Sequence, residues 1–290
     1  MTTYWKFLAG VAVIFAASYL LICVSLYFWQ NRLIFLPSQV VQTIPDDFGL
    51  SYEDVWIPIT TTLGMKEHLH GWWIPVADPQ GVILYLHGNG SNVGMNITQA
   101  QRFQEMGFSV MLIDYRGYGR SEGSFPTEQQ VYEDANSALS YLLAFQQLQP
   151  EEVFLYGHSL GGAIAIELAT HSPNLGGMII ESSFTSMTDM VVHLKRYNWL
   201  PIKLILHHKF DSIAKIKAIQ IPILFIHGTK DEVVPSYMTE MLYDAATATH
   251  KEILLVPDAL HDNVATVAGK RYLETVENFC ETAQKSKVQN

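Results

Sequence analysis

The chain has 290 residues, enough for one large α/β domain plus an appendage and too few for two full enzymes. A net charge of −10, with no basic stripe, argues against nucleic acid as a partner. The two cysteines, Cys23 and Cys280, lie too far apart in context to be expected as a pair, so no disulfide is expected to support the fold. Residues 1–6 read as a short flank. Phe7 to Trp29 contains no charged residue and would cover roughly 35 Å as a helix, enough to cross a bilayer. Lys6 and Arg32 bracket this run, and Tyr4, Trp5, Tyr27 and Trp29 sit where interfacial aromatics belong. A transmembrane anchor is therefore predicted over 7–29. A cleaved signal peptide is the rival reading, but the run is long for one and no clear A-x-A site follows. Leu20-Leu21-Ile22-Cys23 resembles a lipoprotein cleavage site only faintly, because Ile22 is bulky. Lys6 and the α-amino group precede the span, whereas Arg32 is soon followed by Asp46 and Asp47. This balance predicts a single-pass membrane protein with its folded domain on the non-cytoplasmic side.

Residues 30–49 read as a juxtamembrane linker broken by Pro37 and Pro45, with Asn31 to Pro37 expected along the membrane surface. The main domain is expected over 50–285, with a tail at 286–290. Tyr52 to Ile59 and Leu69 to Pro75 suit a hairpin, with Thr60 to Gly64 as the polar turn. Strands then alternate with helices. Strands are predicted at Gly81–Leu86, Phe108–Asp114, Val153–Tyr156, Gly177–Glu181, Ile221–His227 and Glu252–Val256. Helices are predicted at Gly94–Met106, Thr127–Gln147, Ser159–His171, Ser236–Thr247 and Val264–Phe279. Such alternation predicts a mainly parallel sheet with helices on both faces and a ligand site at the carboxyl ends of its strands. Phe184 to Asp211 breaks the rhythm. Rich in Met, Leu, Ile and His, residues 184–211 are read as a short helical cap.

The chemistry centres on Gly157-His158-Ser159-Leu160-Gly161, which fits G-x-S-x-G between a strand and a helix. A sharp turn there strains the serine and leaves room only for glycine two residues to either side. It also places Ser159 at a positive helix end, with the Leu160 N–H free to bind an oxyanion. Leu86-His87-Gly88-Asn89-Gly90 follows a predicted strand and offers Asn89 as the second oxyanion donor, with Gly90 in reserve. A serine hydroxyl needs a base, and the base needs an orienting acid. Asp231 follows one strand and His261 follows the last, giving the order Ser159, Asp231, His261. Glu232 and Glu181 are alternative acids. His227 reads as structural because it ends a strand, and His87 and His158 as parts of backbone-shaping motifs. No metal or organic cofactor is expected. His207-His208 lacks a carboxylate or cysteine partner at helical spacing, and Arg116 to Arg120 lacks the Lys-Ser/Thr of a P-loop.

Together these motifs, with Asp114-Tyr115-Arg116-Gly117-Tyr118-Gly119-Arg120-Ser121, Glu181 to Ser186, Gly228 to Pro235 and His261-Asp262-Asn263, resemble the α/β-hydrolase superfamily. The match covers roughly Tyr52 to Phe279 and looks most like membrane-anchored hydrolases with a short cap. The resemblance implies an α/β-hydrolase fold with Ser159 as nucleophile, Asp231 as acid and His261 as base. It also implies structural roles for Arg116 and Tyr118, bracing the elbow. The sequence departs from the frequent His-Asn pair at His261-Asp262, with Asn263 one residue later. The expected activity is cleavage of esters or thioesters through an acyl-enzyme. The expected substrate carries an apolar acyl group on a small molecule, a lipid or an acylated protein. A serine peptidase, or an inert membrane-tethered binding protein, is the alternative.

Overall fold

The computed structural model describes residues 2–61 and 64–288. The first residue of the expected flank, two positions of the expected hairpin turn and the last two of the tail lie outside them. One long helix, α1 (Thr2–Ile34), opens the chain. Strands β1 (Glu53–Thr60) and β2 (Lys66–Ile74) follow, then β3 (Gly81–Leu86), α2 (Ile97–Glu105), β4 (Phe108–Ile113) and α3 (Glu128–Phe145). Next come β5 (Val153–His158), α4 (Leu160–Thr170) and β6 (Gly177–Glu181). Short helices α5 (Met187–His193), α6 (Ile202–Ile205) and α7 (Ser212–Lys215) interrupt the alternation. It then resumes with β7 (Ile223–Gly228), α8 (Ser236–Ala245), β8 (Lys251–Val256), α9 (Val264–Ala268) and α10 (Lys270–Val288).

The eight strands form one sheet in the order β1-β2-β4-β3-β5-β6-β7-β8. The first two are antiparallel to their neighbours, and β4 through β8 run parallel. Every residue of β3, β4, β6 and β7 is buried, as a parallel sheet covered on both faces requires. Edge strand β1 alternates instead, sending Val55, Ile57 and Ile59 into the core. One face packs against α3, α4 and α8 through residues such as Leu139, Ile164 and Met238. The other face packs against α2, α9 and α10 through Phe103, Val264 and Phe279. This is the expected α/β-hydrolase architecture, preceded by an apolar helix long enough to cross a membrane.

Local differences from the sequence reading have physical causes. The predicted closing helix is two helices, because Gly269 adopts φ 53° between α9 and α10. Helix α2 starts at Ile97, after a short 3₁₀ turn whose N-cap, Asn92, accepts from the Gly94 N–H. Part of the stretch expected to lie along a membrane surface packs on the domain, while Leu33 and Leu36 stay exposed. Helix α1 continues to Ile34, and Phe35 is fully buried between the rings of His208 and Phe210, each 6.0 Å away. Arg32 lies over the Phe125 ring at 4.9 Å.

Arg116 holds α3 rather than the strand-to-helix turn. Its Nη2 donates to Asp134 Oδ1 at 2.6 Å, its Nε donates to the same carboxylate at 2.9 Å, and both side chains are nearly fully buried. Removing one member of such a pair strands a buried charge. Arg116→Ala is expected to cost about 3–5 kcal/mol, measured by urea unfolding in detergent. A loss under about 1 kcal/mol, as for an exposed pair, would contradict this reading.

Candidate active site

Ser159 lies between the end of β5 and the start of α4 with φ 53° and ψ −116°. A non-glycine residue held there stores on the order of 1–3 kcal/mol of strain and persists only where its surroundings fix it. The neighbours are indeed tight. A Cβ on Gly157 would strike the Gly161 carbonyl, and one on Gly161 would strike the Leu86 carbonyl at the end of β3. A Cβ on Gly162 would meet the Ser183 Cβ at 2.5 Å. The peptide groups are fixed as well. Ser159 N–H donates to the Glu181 carbonyl at 2.9 Å, and Ser183 Oγ donates to the Ser159 carbonyl at 2.8 Å. Leu160 begins an 11-residue helix, so its N–H has no intrahelical partner and points with the positive helix end.

Asp231, beyond β7, has a fully buried side chain. Its Oδ1 accepts the N–H groups of Val233 and Val234, both at 2.8 Å. Its Oδ2 faces His261 Nδ1 at 2.7 Å and His227 Nε2 at 3.0 Å. Burial works against ionisation of Asp231. Hydrogen bonds from His227 and His261 more than offset it and hold the carboxyl below its ordinary range. The Asp231 contact places a proton on His261 Nδ1 and leaves Nε2 as the basic nitrogen. The His261 carbonyl accepts from His158 Nε2 at 3.2 Å and from Ser182 Oγ at 3.3 Å. Burial keeps the His158 imidazole below its usual range, so it serves there as a neutral donor. The His158 and His261 rings are 4.9 Å apart, which sets the His261 loop against the serine turn. Asn263 Oδ1 accepts the Leu260 N–H at 2.7 Å and shapes that loop. His261 Nε2 and Ser159 Oγ share no hydrogen bond in this arrangement; such contacts commonly tighten only with substrate.

Two residues read from sequence as backbone or strand furniture thus support the site. His227 reaches Asp231 and the Val234 carbonyl through Nε2, while its Nδ1 meets Thr239 Oγ1 at 2.6 Å. The i, i+4 spacing of His227 and Asp231 was the available signal. For His158 the sequence offered none, because its partner is a main-chain carbonyl 103 residues away. The alternative acids lie elsewhere. Glu181 accepts from Tyr272 Oη at 2.7 Å, and Glu232 is exposed.

Asn89, Ser159 and Leu160 line one cavity of about 480 Å³. The Asn89 side chain is fully engaged. Its Oδ1 accepts from Tyr118 Oη at 2.7 Å, from Leu36 N–H at 2.9 Å and from Gly90 N–H at 3.1 Å, while Nδ2 donates to the Ile34 carbonyl at 2.6 Å. Its backbone N–H has no partner among the described residues. Gly90 is committed to the Asn89 side chain. For a metal, the described residues offer His158, His261 and Asp262, whose ligand atoms lie within 4.8 Å of one another. Two of these side chains are already engaged, by a carbonyl and by Asp231.

The lowered Asp231 ionisation gives a signed pH dependence. The carboxylate contributes stability above its unfolded value near pH 4. That contribution fades as pH falls toward the still lower folded value. Asp231→Asn is therefore expected to be less stable than wild type at pH 7, with the gap narrowing below about pH 4. Chemical unfolding of both proteins at pH 3, 5 and 7 measures it, and a gap that widens on acidification would refute the assignment.

Residues 77–215 and 202–265 match the family described as serine aminopeptidase, S33. A membrane protein of Saccharomyces cerevisiae, YNL320W, is 31% identical over 295 residues, covering 95% of this chain and 97% of its own. The α/β hydrolase domain-containing protein WAV2 of Arabidopsis thaliana is 30% identical over 275 residues, covering 87% and 88%. Among solved structures, the Pyrococcus furiosus esterase Pf2001 superposes with a TM-score of 0.69 at 22% identity, covering 86% of this chain and 99% of that one. The chain therefore belongs to the α/β hydrolases, within the serine aminopeptidase S33 family.

Proposed function

We propose that the protein is a membrane-anchored serine esterase or thioesterase acting on apolar acyl substrates. One observation carries this reading: a serine strained to positive φ shares an apolar cavity with two main-chain donors, beside an imidazole oriented by a buried carboxylate. Ser159 Oγ attacks the acyl carbonyl as His261 Nε2 takes its proton. The Leu160 and Asn89 N–H groups stabilise the resulting oxyanion. Collapse expels the alcohol or thiol, which leaves with the proton from His261, and the acyl group stays on Ser159. Water, deprotonated by His261, then attacks that ester and releases the carboxylic acid and free Ser159. Asp231 fixes the imidazole tautomer and stabilises its cation, and His227 steadies Asp231. Helix α1 serves as the uncleaved anchor, with the hydrolase domain placed on the non-cytoplasmic side by Lys6 and the amino terminus.

The family description favours a second reading, an aminopeptidase. Such an enzyme must receive a protonated amino terminus, which calls for a carboxylate in the pocket. The lining residues include no Asp or Glu and one cation, Arg196. Met187, Met190, Leu194, Leu200 and Ile202 suit an acyl chain instead.

Ser159→Ala and His261→Ala should each lower kcat on p-nitrophenyl octanoate by roughly 10⁴-fold or more, and the double variant should be little worse than either. Retention of full activity in Ser159→Ala would refute the mechanism. Faster turnover of leucine p-nitroanilide than of the octanoate ester would decide for the peptidase.

A further inference from the structure

One stripe of helix α1 faces the cap and the cavity. Tyr19, Cys23, Leu26, Gln30 and Leu33 are spaced by four, three, four and three residues, which keeps them on one face. On this otherwise bare helix, Cys23 is 8% exposed and Gln30 only 5%. The stripe meets the cap. Tyr19 Oη donates to the Trp199 carbonyl at 3.1 Å, and the two rings lie 5.9 Å apart. Gln30 acts as a latch with every polar group satisfied. Its Nε2 donates to the Ile205 and Tyr27 carbonyls at 2.9 and 3.0 Å, and its Oε1 accepts from the His207 and His208 N–H groups at 2.9 and 3.3 Å. Asn31 Oδ1 and His208 Nε2 are also in hydrogen-bond contact. Burial, with His207 alongside, lowers the His208 pKa to about 4, so at neutral pH this imidazole joins the latch uncharged.

The same face lines the cavity that contains Ser159. Leu26, Gln30, Leu33 and Ile34 form one wall, opposite the Met and Leu side chains of the cap. The depth of this contact matters. From Ile34 back to Tyr19 is roughly 22 Å of helix, and from Phe7, where the predicted span starts, to Tyr19 roughly 18 Å. The part of the span ahead of Tyr19 is therefore well short of a bilayer's hydrocarbon core of about 30 Å. A span over 7–29 would therefore bring the outer end of the cap into the membrane. The cap is built for that position. Trp199, Leu204, Val192 and Leu194 are exposed there, with Leu204 82% open, and Leu33 and Leu36 are exposed at and just after the end of α1. Such a group of large apolar side chains in water marks a surface that meets something apolar, and Trp favours the interface.

We infer that the last turns of α1 form a wall of the acyl pocket, and that the substrate is a long-chain acyl ester taken laterally from the leaflet holding the anchor. This rests on the esterase reading above. The helix is then a specificity element as well as a tether. The chain slides between α1 and the cap without crossing water, and its ester reaches Ser159 where the pocket meets the catalytic domain. Gln30 is a positioning residue that holds the two walls at a fixed separation.

The test uses the full chain in nanodiscs and p-nitrophenyl esters from acetyl to palmitoyl, scored as the ratio of kcat/KM for long over short chains. Leu26→Trp is expected to lower that ratio by about tenfold or more, and Leu26→Ala to move the preferred chain toward greater length. Phe28→Trp, on an exposed part of α1 away from the stripe, is expected to leave the ratio unchanged. Leu204→Glu should lower the ratio when the long ester is supplied within the nanodisc bilayer. An unchanged ratio in both Leu26 variants, with Ser159-dependent turnover intact, would overturn the inference and leave the esterase reading standing. Absence of Ser159-dependent turnover of any ester in wild type would overturn both.

Discussion

The close approach of Gly161 to the end of β3 is the constraint on which the site depends. With no side chain, Gly161 lets α4 press against the Leu86 and His87 carbonyls. That contact fixes where the helix begins, and so forces Ser159 into its positive-φ bridge from β5. It also sets the Leu160 N–H beside the loop that carries Asn89, so the serine and both proposed oxyanion donors derive from one packing event. The strain is held by β6, whose Glu181 carbonyl accepts the Ser159 N–H and whose following residues, Ser182 and Ser183, bind the His261 and Ser159 carbonyls. Such over-determination is what allows a strained residue to persist in a folded protein.

Asn89 joins this centre to the apolar helix. Its side chain binds the Ile34 carbonyl and the Leu36 N–H, and the residue lines the cavity beside Ser159. Tyr118 holds the same amide from the other side. The end of α1, the oxyanion loop and the Tyr115–Tyr118 turn are thus one hydrogen-bonded unit. A shift of the helix relative to the cap would be felt at Asn89, the proposed oxyanion donor. Arg116, in the same turn, reaches the other way and secures α3 through Asp134.

Much of this was legible in the sequence because it is local. The elbow glycines, the apolar strands and the positions of Asp231 and His261 after successive strands are short-range patterns with steric or periodic causes. The sheet's parallel body followed from the alternation of elements, and the β1–β2 hairpin from its strand pattern and polar turn. What escaped were contacts whose partners are main-chain atoms far along the chain. His158 meets the His261 carbonyl, Gln30 meets the cap backbone, and neither pairing leaves a pattern in side-chain identity. The seating of Phe35 was hidden for another reason: a hydrophobic residue following an apolar helix reads equally well as lipid-facing or core-facing. The stripe on α1 was masked by the helix being apolar all round. The break at Gly269 was written in the sequence as a glycine within a helical pattern, a signal that helices often tolerate.

The proposed mechanism stands on Ser159 being a nucleophile activated by His261. The most direct measurement is labelling of the detergent-solubilised protein with an alkyl fluorophosphonate, with the modified residue located by peptide mass spectrometry, in wild type and in His261→Ala. A single adduct on Ser159 is expected in wild type, with its loss or severe slowing in the variant. No adduct on folded wild-type protein, or an adduct on Ser159 that forms equally fast without His261, would contradict it.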